Sequence, residues 1–207
     1  MIVIDKVVVT GWEAAIRGAR NPMDSWARMD SIFDRHGNLV ELGDNDLELL
    51  LRLRNAGPDH RKYMRMLNVT MDIDAPLFWW KEFDTYKIAT VRNSCSTMHK
   101  IHTKEITYAT FGWVENDDPV SEPVKRLIVK QCEWLRNMFL ETKDTKYWRE
   151  LIELLPSAYM QRATVQLNYE TLAKMYENRK THKLFEWHGL CREIEKLPYS
   201  ALITGTF

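Results

Sequence analysis

Several stretches of this chain carry side chains capable of chemistry. His99-x-x-His102, with Glu105 close behind, offers imidazole and carboxylate donors. A protein metal site normally adds further ligands held at fixed spacing. No ligand-bearing helix or further cluster is evident here, so structural or surface histidines are the preferred reading and no metal is expected. Cys95 lies in Asn93-Ser94-Cys95-Ser96-Thr97, a small polar run that can approach a ligand closely or simply make a turn. Arg179-Lys180-Thr181-His182-Lys183 is cationic near a predicted helix end. Its charge can answer the helix dipole or hold an anion. Trp79-Trp80, flanked by Phe78 and Phe83, can stack on a flat ligand, but at helical spacing such aromatics usually fill a core.

Other chemistries find no residues. There is no glycine-rich phosphate loop, no G-x-S-x-G elbow and no identifiable cysteine–histidine pair. The cysteines are Cys95, Cys132 and Cys191. Their odd number and the lack of a C-x-x-C pair argue against a disulfide framework and against a cysteine zinc site. Reduced, mostly buried thiols are expected.

The elements that would position these groups are legible in part. Val3 to Val9 reads as a β-branched strand, and Trp12 to Arg20 as a short helix. A helix is expected around Ser25 to Phe33. Asn45 is a candidate cap for a helix carrying Leu47, Leu50, Leu51 and Leu53, which Gly57-Pro58 stops. Asp59 to Met66 suits one or two helical turns. Thr70 to Asp74 alternates like a half-buried strand. Pro76 opens a helix through Phe83. Lys87 to Arg92 suggests a strand, followed by a loop ending in Asp117-Asp118-Pro119. Ser121 and Pro123 mark a long helix with Val124, Leu127, Ile128, Gln131, Leu135 and Met138 at helical spacing. Asp144 caps the next, which Pro156 ends. Arg162 to Leu167 reads as a strand, Asn168 as the cap of a helix, and Leu184 to Ile194 as a last helix. The expected fold class is α+β: one domain over residues 1–207, with a mixed or antiparallel sheet and packed long helices.

Composition narrows the class of function. The 207 residues include 29 basic and 29 acidic side chains, a formal net charge of zero. Hydrophobic residues make up 45% and charged residues 28%, which excludes disorder as the main state. A balanced charge disfavours a nucleic-acid-coating role. No apolar run reaches the ~18 residues needed to span a bilayer, and the charged start does not suit a secretory signal. A cytoplasmic protein without nucleic-acid or membrane partners is expected.

The order of several segments resembles the flavin-dependent thymidylate synthase (ThyX) family over roughly residues 45–195. Ala56-Gly57-Pro58-Asp59-His60 is similar to the family's Gly…Glu-His segment. Asp72-Ile73-Asp74-Ala75-Pro76-Leu77-Phe78-Trp79-Trp80 follows at the family's distance and resembles its strand, Ala-Pro turn and aromatic helix. Thr85-Tyr86-Lys87 stands where the family has Arg-His-Arg. Asn93 and Ser96 match the following Asn-Glu-x-Ser part with one residue inserted. Leu155-Pro156 is similar to the Leu-Pro segment, Asn168-Tyr169-Glu170-Thr171-Leu172 to Asn-x-Arg-Ser-Leu, Arg179 to the arginine of the Leu-Arg element, and Phe185-Glu186-Trp187 to Gln-Trp-Glu.

This resemblance implies a homotetramer with active sites between subunits, using FAD, dUMP, methylenetetrahydrofolate and a reduced nicotinamide. Family members methylate dUMP to dTMP without a cysteine nucleophile. Carried over residue by residue, His60, Lys87, Asn168 and Lys183 would bind the cofactor. Glu82, Asn93, Ser96 and Arg179 would bind the nucleotide, with Arg179 orienting the base as the catalytic group and Ser96 meeting the phosphate. The departures fall on phosphate-holding cations: Thr85 and Tyr86 replace charged or imidazole groups, and Glu170 reverses a charge. Lys87, Arg92, Lys100, Lys174 and Lys183 are candidates to compensate. The resemblance therefore implies a divergent flavin- and dUMP-binding methyltransferase. The alternative is an inactive oligomeric binding or structural module on the same fold.

Overall fold

The computed structural model describes residues 2–114 and 118–205. In chain order it comprises β1 (Val3–Thr10), α1 (Trp12–Arg20), β2 (Ile32–Phe33), β3 (Leu39–Glu41), α2 (Asp44–Asn55), β4 (Asn68–Pro76), α3 (Leu77–Phe83), β5 (Val91–Ser94) and α4 (Thr97–Lys100). There follow α5 (Ser121–Thr142), α6 (Thr145–Leu154), β6 (Met160–Asn168), α7 (Tyr169–Arg179), α8 (Phe185–Glu195) and α9 (Ala201–Thr204). The main sheet has strand order β1-β4-β6-β5, and β2 and β3 form a separate antiparallel pair. The fold class is α+β with an antiparallel sheet, as the sequence implied.

Period-two alternation builds the central strands. On β4, Val69, Met71, Ile73 and Ala75 are buried, and on β6, Ala163, Val165 and Leu167 are. The intervening residues pair across the polar face: Thr164 Oγ1 donates to Asp72 Oδ1 at 2.5 Å, and Arg162 Nη1 to Asp74 Oδ2 at 2.6 Å. These two pairs step in opposite directions along the two strands, which fixes an antiparallel register.

The chain divides into two compact units. One comprises Met1–Val3, Ile73–Thr85 and Asn93–Ala163; the other comprises Ile4–Asp72, Tyr86–Arg92 and Thr164–Phe207. In the first, α5 and α6 form a helical hairpin. Cys132 and Leu135 join Leu151, Ile101, Ile106, Phe111 and Ala158 in one buried cluster. Burial pushes the Cys132 thiol up to about 11, so it is an inert core group. Trp79, Trp80 and Phe83 of α3 are fully buried with ring centroids 4.9–5.2 Å apart. The tryptophan pair is core rather than a ligand platform. Asp144 caps α6 as expected, accepting from the Lys146 amide at 3.0 Å.

In the second unit, Trp12 lies edge-on to both Tyr169 and Tyr199. The Tyr169 hydroxyl donates to the Pro198 carbonyl at 2.6 Å, and Tyr63 to that of Leu50 at 2.8 Å. Burial raises both phenols' pKa. Beside them lies a buried ion pair. Asp46, fully buried, accepts Arg20 Nε at 2.6 Å, Ser31 Oγ at 2.6 Å, and the Ser31 and Asp30 amides at 3.0 and 3.1 Å.

That ion pair explains two differences from the sequence reading. The helix expected around Ser25–Phe33 is only a 3-10 turn at Trp26–Arg28 followed by β2. The Asp30 and Ser31 amides are engaged by Asp46, so they cannot serve a helical ladder. Likewise Asn45 does not cap α2; Gly43 is the capping residue. The orphan amides of Asn45 and Asp46 are satisfied from a distance by the Asp30 carboxylate, at 2.9 and 3.0 Å. A third difference is β5, which runs Val91–Ser94 rather than from Lys87. Ala89 takes the left-handed conformation (φ 52°) and interrupts the extended backbone. The Asp117 position of the expected loop lies outside the described residues.

Candidate functional site

Five of the eight residues assigned to a site from the sequence lie in the second unit, and α7 organises them. Asn168 caps its start: Oδ1 accepts from the Thr171 amide at 2.9 Å. Its side-chain oxygen is thus committed to the fold, while its Nδ2 makes no hydrogen bond among the described residues. Glu170, where the resemblance has an arginine, is paired with Arg65 in a two-nitrogen contact and with Arg61 Nε at 3.7 Å. The reversed charge is therefore answered inside the unit rather than left facing a ligand. Arg61 adjoins His60, so the same ion pair ties the His60 turn to the start of α7. His60 itself is exposed.

The segment carrying Lys87 is pinned alongside α7 at two points. Thr171 Oγ1 donates to the Ile88 carbonyl at 3.3 Å, and Arg179 Nε donates to the Tyr86 hydroxyl at 2.9 Å. Lys87 is exposed between these anchors, and Lys183 is exposed in the turn after α7. Neither ammonium has an ion-pair partner among the described residues. Arg179 sits at the last turn of α7 with its guanidinium 4.5 Å from the centroid of the buried Trp187 ring. This is a cation–π contact on a fixed indole face. The sequence reading assigned Arg179 by motif order and gave no sign of this aromatic seat.

The first unit holds the remaining three assigned residues. Ser96 lines a cavity of about 360 Å³ with Asp74, Cys95, Thr97, Lys100, Lys104, Tyr159, Gln161 and Arg162 among its walls. Asn93 lies exposed on β5 and Glu82 half-buried on α3, and neither lines that cavity. Ser96 also caps α4, accepting from the His99 amide at 3.2 Å. Its loop is held to β6 on both sides. The Cys95 amide donates to the Arg162 carbonyl at 2.9 Å, and Gln161 Nε2 donates to the Cys95 carbonyl at 2.9 Å and to Thr97 Oγ1 at 3.2 Å. Gln161 was missed in the sequence, where nothing distinguishes it from any other strand polar residue. Burial, and after it the neighbouring Cys95 sulfur, raises the pKa of the Tyr159 phenol, so it stays a neutral donor. Lys100 and Lys104 supply positive charge with no carboxylate partner among the described residues, while Arg162 is held by Asp74. Such a cavity suits an anionic ligand with an apolar body, since Ile101, Ile106 and Met160 complete the wall.

His102 packs edge-on to Phe139 at 5.0 Å, and His99 is exposed on α4. Among the described residues no cluster of three or more His, Cys, Asp or Glu gathers to hold a metal. No helix among them is long and apolar enough to cross a membrane.

No family model matches the chain, and no curated protein matches it in sequence. Its three-dimensional similarity is decisive where sequence is not: the fold is that of the flavin-dependent thymidylate synthases. ThyX from Helicobacter pylori complexed with FAD and dUMP aligns with a TM-score of 0.73 at 16% identity, over 99% of this chain and 98% of that one. A second structure of the H. pylori enzyme with FAD and dUMP gives 0.74 at 17%, over 99% and 97%. The UMP/dUMP methylase PolB from Streptomyces cacaoi, bound with 5-Br dUMP, gives 0.63 at 13%, over 95% and 89%. At these identities what is shared is the fold.

Proposed function

We propose that this protein binds FAD and a pyrimidine nucleotide of the dUMP type, and methylates the base with a one-carbon unit from methylenetetrahydrofolate. The observation that carries the reading is the fold likeness along nearly the whole chain to proteins crystallised with those two ligands. The second unit offers groups that fit a flavin nucleotide: exposed Lys87 and Lys183 for its phosphates, the Asn168 amide nitrogen, and His60. When bound and reduced by a reduced nicotinamide, the flavin would supply the hydride that completes the methyl group.

The chain's own residues then do the following. Ser96 donates its hydroxyl to the nucleotide phosphate, and Lys100 and Lys104 neutralise that phosphate inside the cavity. From a neighbouring subunit of the proposed tetramer, the Arg179 guanidinium of the second unit donates to the uracil and polarises it, with an always-charged planar fork suited to a ring carbonyl. The low-dielectric indole face of Trp187 beneath it strengthens that field. The same reading makes residues 1–207 one ThyX-like domain that assembles as a cytoplasmic homotetramer.

The test is spectroscopic. The purified protein should be yellow or take up FAD, and dUMP should then perturb the flavin band. The chain should also rescue growth of a thymidine-requiring strain. A colourless protein that shows no signal with FAD and dUMP at high micromolar concentration refutes the proposal and leaves an inactive module of the same fold.

A further inference from the structure

The contacts of Arg179 carry a further assignment, which rests on the functional reading above. Tyr86 stands where the resembled family has the histidine of Arg-His-Arg, and its role here follows from geometry rather than inheritance. Its hydroxyl accepts the Arg179 Nε–H at 2.9 Å. The guanidinium carbon lies 5.5 Å from the Tyr86 ring centroid and 4.5 Å from that of Trp187. The Tyr86 ring is itself edge-on to Trp187, with centroids 6.0 Å apart and planes at 62°. Trp187 is fully buried and so cannot yield. The His182 ring also lies edge-on to it, with centroids 6.4 Å apart. The turn below is closed by the His182 amide donating to the Arg179 carbonyl at 3.0 Å.

An arginine side chain has free rotation about four bonds before its planar head. Fixing Nε fixes the last of these, and the indole face fixes the plane. Each contact that holds an arginine before the ligand arrives lowers the ordering cost of binding. We infer that Tyr86 is a positioning residue: its hydroxyl sets the orientation in which Arg179 presents its terminal amino groups to the pyrimidine ring. On this account the Tyr86 replacement is a rewiring of the site rather than a loss from it.

The deciding variant is Tyr86→Phe, which keeps the ring and its contact with Trp187 and removes only the acceptor. Nucleotide affinity of the FAD-loaded protein should fall roughly ten-fold, as expected for one lost hydrogen bond to a charged group. FAD affinity should stay within about two-fold. In an Arg179→Ala background, Tyr86→Phe should cause no further loss. A ligand-free readout stands beside these: the Arg179 Nε–H resonance, assigned with Arg179→Lys, should be protected from exchange and lose that protection in Tyr86→Phe. Unchanged dUMP affinity in Tyr86→Phe, a loss that persists without Arg179, or an unprotected Nε–H in the unmodified protein overturns the assignment. A wild-type protein that binds neither FAD nor dUMP shows its failure before any variant is made, and it sinks the functional reading together with this one.

Discussion

Replacing Asp46 with alanine should be the most damaging single change in the second unit, and the structure sets the scale. The Asp46 side chain is fully buried and that of Arg20 is 4% exposed. Oδ1 accepts Arg20 Nε at 2.6 Å, with Nη2 at 2.5 Å as a charge contact. Oδ2 accepts the amides of Asp30 and Ser31 and the Ser31 hydroxyl. Removing one member of a buried pair costs about 3–5 kcal/mol, because the other charge stays desolvated. In Asp46→Ala, Arg20 keeps only the Ser25 carbonyl at 3.3 Å. Two backbone amides are orphaned as well, each worth about 1–3 kcal/mol if water cannot reach them. The total should come to about 4–6 kcal/mol after partial relaxation, a fall in Tm of about 10–20 °C for a chain of this size. Arg20→Met should cost less, about 2–3 kcal/mol, because Asp46 keeps three donors. Urea denaturation of the two single variants and the double variant measures this directly. The double variant should be well short of the sum of the singles. A loss under about 1 kcal/mol in Asp46→Ala, or a larger loss in Arg20→Met than in Asp46→Ala, would refute the reasoning.

Other expectations concern a helix cap, a pH response and the cavity. Asn168→Ala removes the cap of α7 and should cost about 1 kcal/mol, read as a Tm decrease of about 2–4 °C. Asp30 accepts the two orphan amides of α2, and these bonds hold its carboxyl below the ordinary 3.8 against the opposing pull of burial. A lowered folded-state value means stability present above the unfolded value and lost as pH falls through the folded one. Asp30→Asn should therefore be less stable than wild type near neutral pH, and the two should converge in denaturation curves as pH falls below 3.8 through the lowered folded-state value. A constant gap across that range would exclude the carboxylate as the cause. Lys100→Ala combined with Lys104→Ala should weaken dUMP binding about ten-fold or more while leaving FAD titration unchanged. Equal loss for both ligands would assign the lysines a different role.

Sequence pattern revealed the elements whose cause is local. β4 and β6 follow from alternation, α3 from Pro76 and its aromatic spacing, and α6 and α7 from Asp144 and Asn168 as side-chain caps. It misled where the cause is remote. Asp46 extends the segment around Asp30 and Ser31 from 15 residues away along the chain, and Asp30 caps α2 in place of Asn45. No propensity reports such a partner. The same holds for the site. Arg179 was visible as a cation near a helix end, but its seat on Trp187 and its bond to Tyr86 span 93 residues in the latter case. Ser96 was assigned by order of motifs, whereas Gln161, which ties down its loop, carries no signal in the sequence. The charge reversal at Glu170 looked like the loss of a ligand contact until Arg61 and Arg65 were seen to pair with it.

The way the backbone threads its two compact units has a consequence for anyone who would dissect the gene. The chain passes from one to the other between Val3 and Ile4, Asp72 and Ile73, Thr85 and Tyr86, Arg92 and Asn93, and Ala163 and Thr164. Four of these crossings fall inside strands β1, β4, β5 and β6, so each of these strands contributes residues to both units. No one cut yields either half as a continuous polypeptide. Fragment expression, recombination at a linker or exchange of one half with another protein would sever a strand in mid-course. One unit is therefore altered more readily by point substitution than by exchange of a segment.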